Sequence, residues 1–388
     1  MAHKILITDG PNKNTLAILR DLGKDKGKYH LEITSHFNKG ITLSSYSKYC
    51  KKTHVQKSVG EDLDSYAEKL LDLVRKNDYD VLLPVGLISY LAASKFRDNF
   101  SNYVRLVVPE WEKMKIAFNK DNTMKFAEEL GIPIPRTRVI STEDDLEDID
   151  DLPVVMKSSD GFLKYCSNKN ELLENYKFIK NKSATRIIAQ EYITGFGCGF
   201  YGVYDQGELV AHFLHKRIRE FPVTGGPSAI AESYFDKRLL HYGEKLCNAL
   251  EWNGPIMAEF KYDIENDDYK LIEVNPKLWG SLDLTIAAGV DVPRILVDIA
   301  LGKKPDAPKS YQYVKYKWLF PDAFWALVSD FSMVNMKEFF SSNDSIRTNF
   351  YPDDVLPFMI QFTRALAESP TIILDRKRKY PHGRVTSK

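Results

Sequence analysis

Pro255-Ile-Met-Ala-Glu-Phe-Lys-Tyr262 and Tyr269-Lys-Leu-Ile-Glu-Val274 are two apolar runs of strand length. The acidic stretch Asp263-Ile-Glu-Asn-Asp-Asp268 separates them, and Asn275-Pro-Lys-Leu-Trp-Gly-Ser281 follows. A short polar connection between two such runs predicts an antiparallel hairpin. Each run carries one acid, Glu259 or Glu273, among apolar neighbours, where an isolated carboxylate is costly to bury. On an antiparallel pair the two acids can face the same side and, with Asn275, hold a cation. Oxygen-only ligands beside a nucleotide suit magnesium, which keeps waters and prefers carboxylates with phosphate oxygens. The plain alternative is a pair of solvated strand acids.

Upstream of the hairpin, strands neighbour strands. Phe200–Tyr204 and Leu209–His215 read as a pair about Gln206-Gly207, and a helix is expected near 236–250. Before them come short strands at Arg138–Ile140, Pro153–Lys157 and Arg186–Gln190, with a helix over 168–180. Asp121 can cap a further helix with Met124, Ala127 and Leu130 on one face, ended by Gly131 and Pro133. The middle of the chain is therefore α+β. The first hundred or so residues differ: buried runs at Lys4–Asp9, His30–Ser35 and Asp80–Val85 alternate with helical patterns at Asn14–Leu22, Glu61–Lys76 and Leu87–Phe96. That alternation implies right-handed βαβ units and a parallel sheet. Asp9-Gly-Pro-Asn-Lys13 has a single glycine, so the dinucleotide fingerprint is absent.

At 388 residues the chain is too long for one core, and two or three domains are expected. A net charge of +1 gives no global reason to expect nucleic acid. Cys50, Cys166, Cys198 and Cys247 form no CxxC pair, which disfavours zinc or a disulfide framework and fits reduced cytoplasmic thiols. The chain enters a strand pattern at once, without an apolar signal core, and no run is long enough to span a bilayer. A cytoplasmic location is the expectation.

The order of acid in an apolar strand, turn, and Glu273-Val-Asn-Pro-Lys-Leu-Trp-Gly-Ser281 resembles the metal-binding end of ATP-grasp enzymes. Their members include biotin carboxylase, carbamoyl phosphate synthetase and amino-acid ligases. Asn119-Lys-Asp121 and Gly131-Ile-Pro-Ile-Pro135 resemble the segment with the first ATP-contacting lysine, here Lys120. Pro153-Val-Val-Met-Lys157 resembles the strand with the second, here Lys157. Ala189-Gln-Glu-Tyr-Ile193 resembles the hinge, which implies Gln190, Glu191, Tyr192 and Ile193 beside the adenine. The resemblance covers roughly residues 1–320. It implies an ATP-grasp fold, α/β and α+β, with an N-terminal Rossmann-like pre-grasp domain (1–110), a lid subdomain (111–195), a metal-binding subdomain (196–310) and a C-terminal extension (311–388). ATP and Mg2+, or Mn2+ in its place, are the implied cofactors. Glu259, Glu273 and Asn275 are the implied metal ligands.

Three departures stand out. Ser158-Ser-Asp-Gly161 offers one glycine where many members have a glycine-rich flap. Thr194-Gly-Phe-Gly-Cys-Gly199 lacks the ribose-binding acid of some relatives, which leaves Glu191 or another acid. Lys277 replaces a frequent arginine, keeping the charge but losing the bidentate fork. His215-Lys-Arg-Ile-Arg-Glu220 before Phe221-Pro-Val-Thr-Gly-Gly226 is the substrate candidate, and Lys216, Arg219 and Lys277 are the expected catalytic cations. Lys216, Arg217 and Arg219 cannot all share one strand face. Val355–Leu366 carries Phe358, Phe362 and Leu366 at helical spacing, and Arg376-Lys-Arg-Lys379 is basic. A docking helix with a solvated tail is favoured there over a segment resting on a membrane.

The implied reaction joins a small carboxylate, such as an amino acid, to an amine through an acyl phosphate, releasing ADP and phosphate. The substrates are then the partners, with no nucleic acid and with a homo-oligomer left open. Bicarbonate activation, as in carbamoyl phosphate synthesis, and a nucleotide-binding module without turnover are the alternatives.

Overall fold

The computed structural model describes residues 2–36, 42–56, 62–158, 160–222, 225–375, 378 and 380–382. The opening run is a central strand, His3–Ile7, with Ile5, Leu6 and Ile7 fully buried. It pairs in parallel with Tyr29–His36 on one side and Val81–Leu83 on the other, and Lys52–Gln56 adds a fourth strand beyond Tyr29–His36. Lys52-Thr-His-Val-Gln56 was not foreseen, because a polar edge strand has no apolar run to betray it. Helices Lys13–Gly23 and Leu63–Arg75 make crossovers, and helix Leu87–Lys95 follows the last strand. A polar cluster lies within this unit: the buried carboxylate Glu32 meets His54 Nε2 at 2.6 Å, Tyr79 OH at 2.6 Å and His30 Nε2 at 3.0 Å.

The second sheet is antiparallel, in the order Thr137–Ile140, Ile187–Glu191, Val154–Ser158, Leu163–Cys166. One face, with Val154, Met156, Cys166 and Ala189, packs under the helix Lys169–Lys180 through Leu172, Tyr176 and Ile179. Strand alternation puts Val155, Lys157, Ile188, Gln190 and Tyr165 on the other face. The chain reaches this sheet through helix Lys120–Glu129. Its cap is Asn119, whose side chain accepts from Asn122 N; Asp121, expected as the cap, sits in the first turn.

The third sheet has seven strands: Asp268–Asn275, Gly254–Asp263, Gly195–Asp205, Glu208–Glu220, Ser228–Ser233, Lys315–Lys317 and Ile346–Thr348, in that order. All neighbours run antiparallel except the last pair. Helix Lys237–Ala249 packs on it, with Gly243 so close to Phe200 that a Cβ there would lie 2.1 Å from the ring. The hairpin expected at 255–274 is the strand pair Gly254–Asp263 and Asp268–Asn275.

After Lys315–Lys317 the chain builds an extension of short helices and the long helix Val355–Leu374, which runs past the expected Leu366 and through Pro370. The extension is anchored by buried charge. Lys317 donates to the carbonyl oxygens of Glu338 and Ser341, both at 2.5 Å. Arg20 of the first helix pairs with Asp354 at 2.8 Å, with side chains only 3% and 1% exposed. Lys13 pairs with Asp322 at 2.9 Å. No helix among the described residues is long and apolar enough to cross a membrane.

Candidate active site

Glu259 and Glu273 are direct register partners on adjacent strands, so their carboxylates share one face of the seven-stranded sheet. Like charges directly opposite each other are destabilising, and this pair is held by separate cations. Lys120 Nζ lies 3.1 Å from Glu273, and Asn275 Nδ2 donates to the other Glu273 oxygen at 2.8 Å. Arg217 NH2 lies 2.6 Å from Glu259, and its NH1 is 3.0 Å from Glu220. Burial pushes the Glu273 carboxyl up, but the Lys120 charge and the hydrogen bonds from Asn275 and Lys120 hold it below the ordinary range. Glu259 goes the other way: burial raises it, the Glu273 charge adds to that, and Arg217 opposes without cancelling. Their surroundings thus shift the two acids in opposite directions.

Lys157 extends from the open face of the four-stranded sheet and donates to Gln190 Oε1 at 2.6 Å. Burial, then the charge of Lys120, pulls its ammonium down to about 8, while Glu273 and Glu259 act in the opposite sense. Lys261 and Lys270 of the seven-stranded sheet reach the Ile193 carbonyl and the Glu191 carboxylate at 3.0 and 2.8 Å, so the two sheets face each other across one cleft. Lys277 is half-buried at the end of the hairpin strand; burial lowers it, opposed by Glu273 and by Asp9 at the end of the first strand.

The hinge residues are engaged in different ways. Gln190 is buried beside Lys157. Both Glu191 oxygens accept from Lys270 at 2.8 Å, and one also accepts from Arg136 N at 3.0 Å. The Glu191 carboxylate is therefore committed to cations of the protein, which leaves little for a ribose. Tyr192 meets Tyr165 edge to face, with centroids 5.7 Å apart, and Lys261 Nζ lies 5.0 Å over its ring. Lys261 also donates to the Ile193 carbonyl at 3.0 Å.

Of the three cations on strand Glu208–Glu220, Arg217 alone meets the acid pair. Lys216 stands over the Phe196 ring at 4.0 Å, and Arg219 bonds Glu338 and Asn335 of the extension, both at 2.8 Å. The register shifts on both sides of Arg219 break the simple alternation that would have kept it with Arg217. Nothing in the spacing singles out Arg217, because a bulge cannot be read from a run of charges. Glu220 and Lys261 were missed for a related reason, since an exposed-looking charge at a strand end carries no signal of its partner. Of the flap and the substrate loop, Ser159, Val223 and Thr224 lie outside the described residues, as do Arg376, Lys377 and Lys379 of the basic end.

Two carboxylates and an amide on one hairpin, all with oxygen atoms to offer, fit a hard divalent ion such as magnesium. The raised Glu259 supports the fit, because a cation placed between the acids removes the repulsion that burial leaves uncompensated.

Residues 188–320 match a family described as ATP-grasp in the biosynthetic pathway with Ter operon. The biotin carboxylase domain of the Hydrogenobacter thermophilus 2-oxoglutarate carboxylase, a dimer solved with MgADP and bicarbonate, is similar at 16% identity and a TM-score of 0.61, over 81% of this chain and 73% of that one. An L-amino acid ligase from Bacillus licheniformis is similar at 15% identity and a TM-score of 0.59, over 77% and 74%. Phosphoribosylglycinamide synthetase from Anaerococcus prevotii is similar at 15% identity and a TM-score of 0.59, over 81% and 80%.

Proposed function

The chain carries the ATP-grasp fold, and from that premise we propose that it is an ATP-dependent, ADP-forming carbon–nitrogen ligase acting on a small carboxylate and an amine. The observation that carries this reading is the opposed acid pair Glu259 and Glu273, each met by its own cation. Phosphoryl transfer asks for positioning and charge neutralisation, which such an array supplies. The reading divides the chain into a pre-grasp unit at 1–110, a lid at 111–195, a metal-binding unit at 196–310 and an extension at 311–388.

Glu259, Glu273 and Asn275 would hold magnesium, which when bound neutralises the terminal phosphates. Lys120 and Lys157 contribute positive charge to the same phosphates. Lys120 is 73% exposed along its side chain, so it is free to swing from Glu273 to a phosphate oxygen. Arg217 and Lys277 flank the acids and orient the substrate carboxylate toward the γ-phosphorus. Of the strand cations, Arg217 lies against Glu259, whereas Lys216 stands over Phe196 and Arg219 pairs with Glu338. The carboxylate oxygen attacks phosphorus, ADP leaves, and the amine nitrogen then displaces phosphate from the acyl carbon with loss of one proton.

The experiment is a screen of amino acids, other small acids and bicarbonate with hydroxylamine, scored for nucleotide product and hydroxamate. ADP, phosphate and a hydroxamate are expected. AMP as the stoichiometric product, with the correct acid and amine supplied, overturns the reading. Lys277→Ala should lower hydroxamate formation more than it lowers ATP affinity.

A further inference from the structure

Leu163–Cys166 is the edge strand of the four-stranded sheet. Ser158 N bonds the Phe162 carbonyl at 3.0 Å, which fixes the phase of the pair. Alternation then aims the backbone groups of Lys164 and Cys166 at Val154–Ser158, and those of Leu163 and Tyr165 outward. An open edge of this kind is a template for another strand. In this molecule the chain's own C-terminal residues occupy it. Tyr165 N donates to the His382 carbonyl at 2.9 Å, and His382 Nδ1 meets the Leu163 carbonyl at 3.2 Å, which requires the proton on Nδ1. Lys164 Nζ donates to the Pro381 carbonyl at 2.9 Å.

We propose that residues 380–382 are a strap that pins the hairpin Val154–Ser158 and Leu163–Cys166, so that this hairpin swings away from the cleft only when the strap lets go. The place of the contact supports this. Leu163 is the register partner of Lys157, and Tyr165 is the partner of Val155 on the cleft-facing side. Tyr165 OH and His382 Cδ2 both come near Gly225 of the loop after Arg219, at 3.7 and 3.9 Å from where its Cβ would lie. The strap therefore meets the hairpin where it faces the substrate loop. Its other end is fixed, because helix Val355–Leu374 is held to the rest of the molecule by Trp325 Nε1 on the Ala365 carbonyl. Helix Met333–Phe340 is held through Arg219 and Lys317. Three contacts from residues 381 and 382 therefore tie the outer edge of the hairpin. For its consequence on nucleotide release, the proposal rests on the function proposed above; the strap itself does not.

The test is the full-length chain carrying Tyr380→Gly, Pro381→Gly and His382→Gly, compared with the parent by amide hydrogen exchange and by stopped-flow dissociation of MgADP. Tyr165 should exchange roughly tenfold faster in the variant, the scale expected when one hydrogen bond and its neighbours are lost. Lys164 and Cys166 should be unchanged, and Leu6 in the central parallel strand should confirm equal global stability. MgADP should leave several-fold faster. His382→Ala, which removes the ring contact and keeps the main-chain one, should fall between. The proposal is overturned if Tyr165 exchanges in the parent as fast as an unpaired amide, or if MgADP leaves both proteins at one rate. A chain that binds no MgADP defeats the ligase reading instead, and the Tyr165 contrast then decides the strap alone.

Discussion

Glu32 in the parallel sheet and Glu259 in the cleft are both acids among buried neighbours, and their surroundings treat them in opposite ways. Burial alone would raise Glu32, but hydrogen bonds from His54, Tyr79 and His30 outweigh it and take the carboxyl down to about 2. Glu259 has one cation, Arg217, and a second acid directly across the strand, and its carboxyl stays raised by burial. The first acid is saturated by donors of the protein and serves the fold. The second has one protein cation and a facing acid, so its charge is opposed as much as it is satisfied.

The largest effect that would break this contrast is expected from Glu273→Gln. ATP turnover should fall about 1,000-fold, the scale of losing a charge from a preorganised electrostatic site. Its partner Lys120 is exposed, so unfolding free energy should move by less than about 0.5 kcal/mol in a denaturant titration. Turnover near the parent value at low magnesium would remove the metal assignment. Next is Lys157→Ala, which should lower kcat/KM for ATP by about 100-fold, while Lys125→Ala on the exposed face of its helix should leave it nearly unchanged. Equal small effects would mean that Lys157 does not face the nucleotide.

Glu32→Gln sharpens the other side of the comparison. It should cost about 2 kcal/mol of stability, because an amide nitrogen cannot accept from the donors gathered there, with turnover per folded molecule intact. A large loss of activity without loss of stability would make Glu32 functional. The pH dependence follows from the same lowered carboxyl. The unfolded chain takes up its proton at higher pH than the folded one, so the Glu32 contribution is fully present above about 4.5 and disappears as pH falls toward about 2. The stability gap between parent and Glu32→Gln should narrow over that window in urea titrations. A gap that stays constant refutes the assignment. The smallest effect concerns Lys157, whose ammonium is pulled down to about 8. The kcat/KM for ATP should decline as pH rises through that value, and Lys157→Arg should flatten the profile.

Sequence carried the hairpin, the parallel sheet and the order of Lys120, Lys157, Glu259 and Glu273 because each sits in an apolar run or beside a helix cap with a local signature. What it did not carry is set by partners far away. Lys315–Lys317 and Ile346–Thr348 are three-residue strands, too short to show a period. Ser228–Ser233 is built mostly of small residues that read equally well as loop. The choice of Arg217 over its neighbours depends on a bulge, and the commitment of Glu191 depends on Lys270, 79 residues later. In the extension only the helix at Val355–Leu366 showed a period; the ion pair Arg20–Asp354 and the packing of Phe320 on Phe358 and Phe362 join residues too far apart in sequence to be read from it.

That ion pair has a consequence for how the molecule is made. Arg20 and Asp354 lie 334 residues apart. A ribosome adding roughly 5–20 residues per second needs on the order of 20–70 seconds to travel from one to the other. Throughout that interval the first helix carries a guanidinium destined for burial without the carboxylate that will neutralise it, and burying such a charge unpaired is strongly unfavourable. The parallel sheet is made long before Asp354, yet that side of its first helix can close only after Asp354 has been made. One face of an early helix is completed by a carboxylate made 334 residues later.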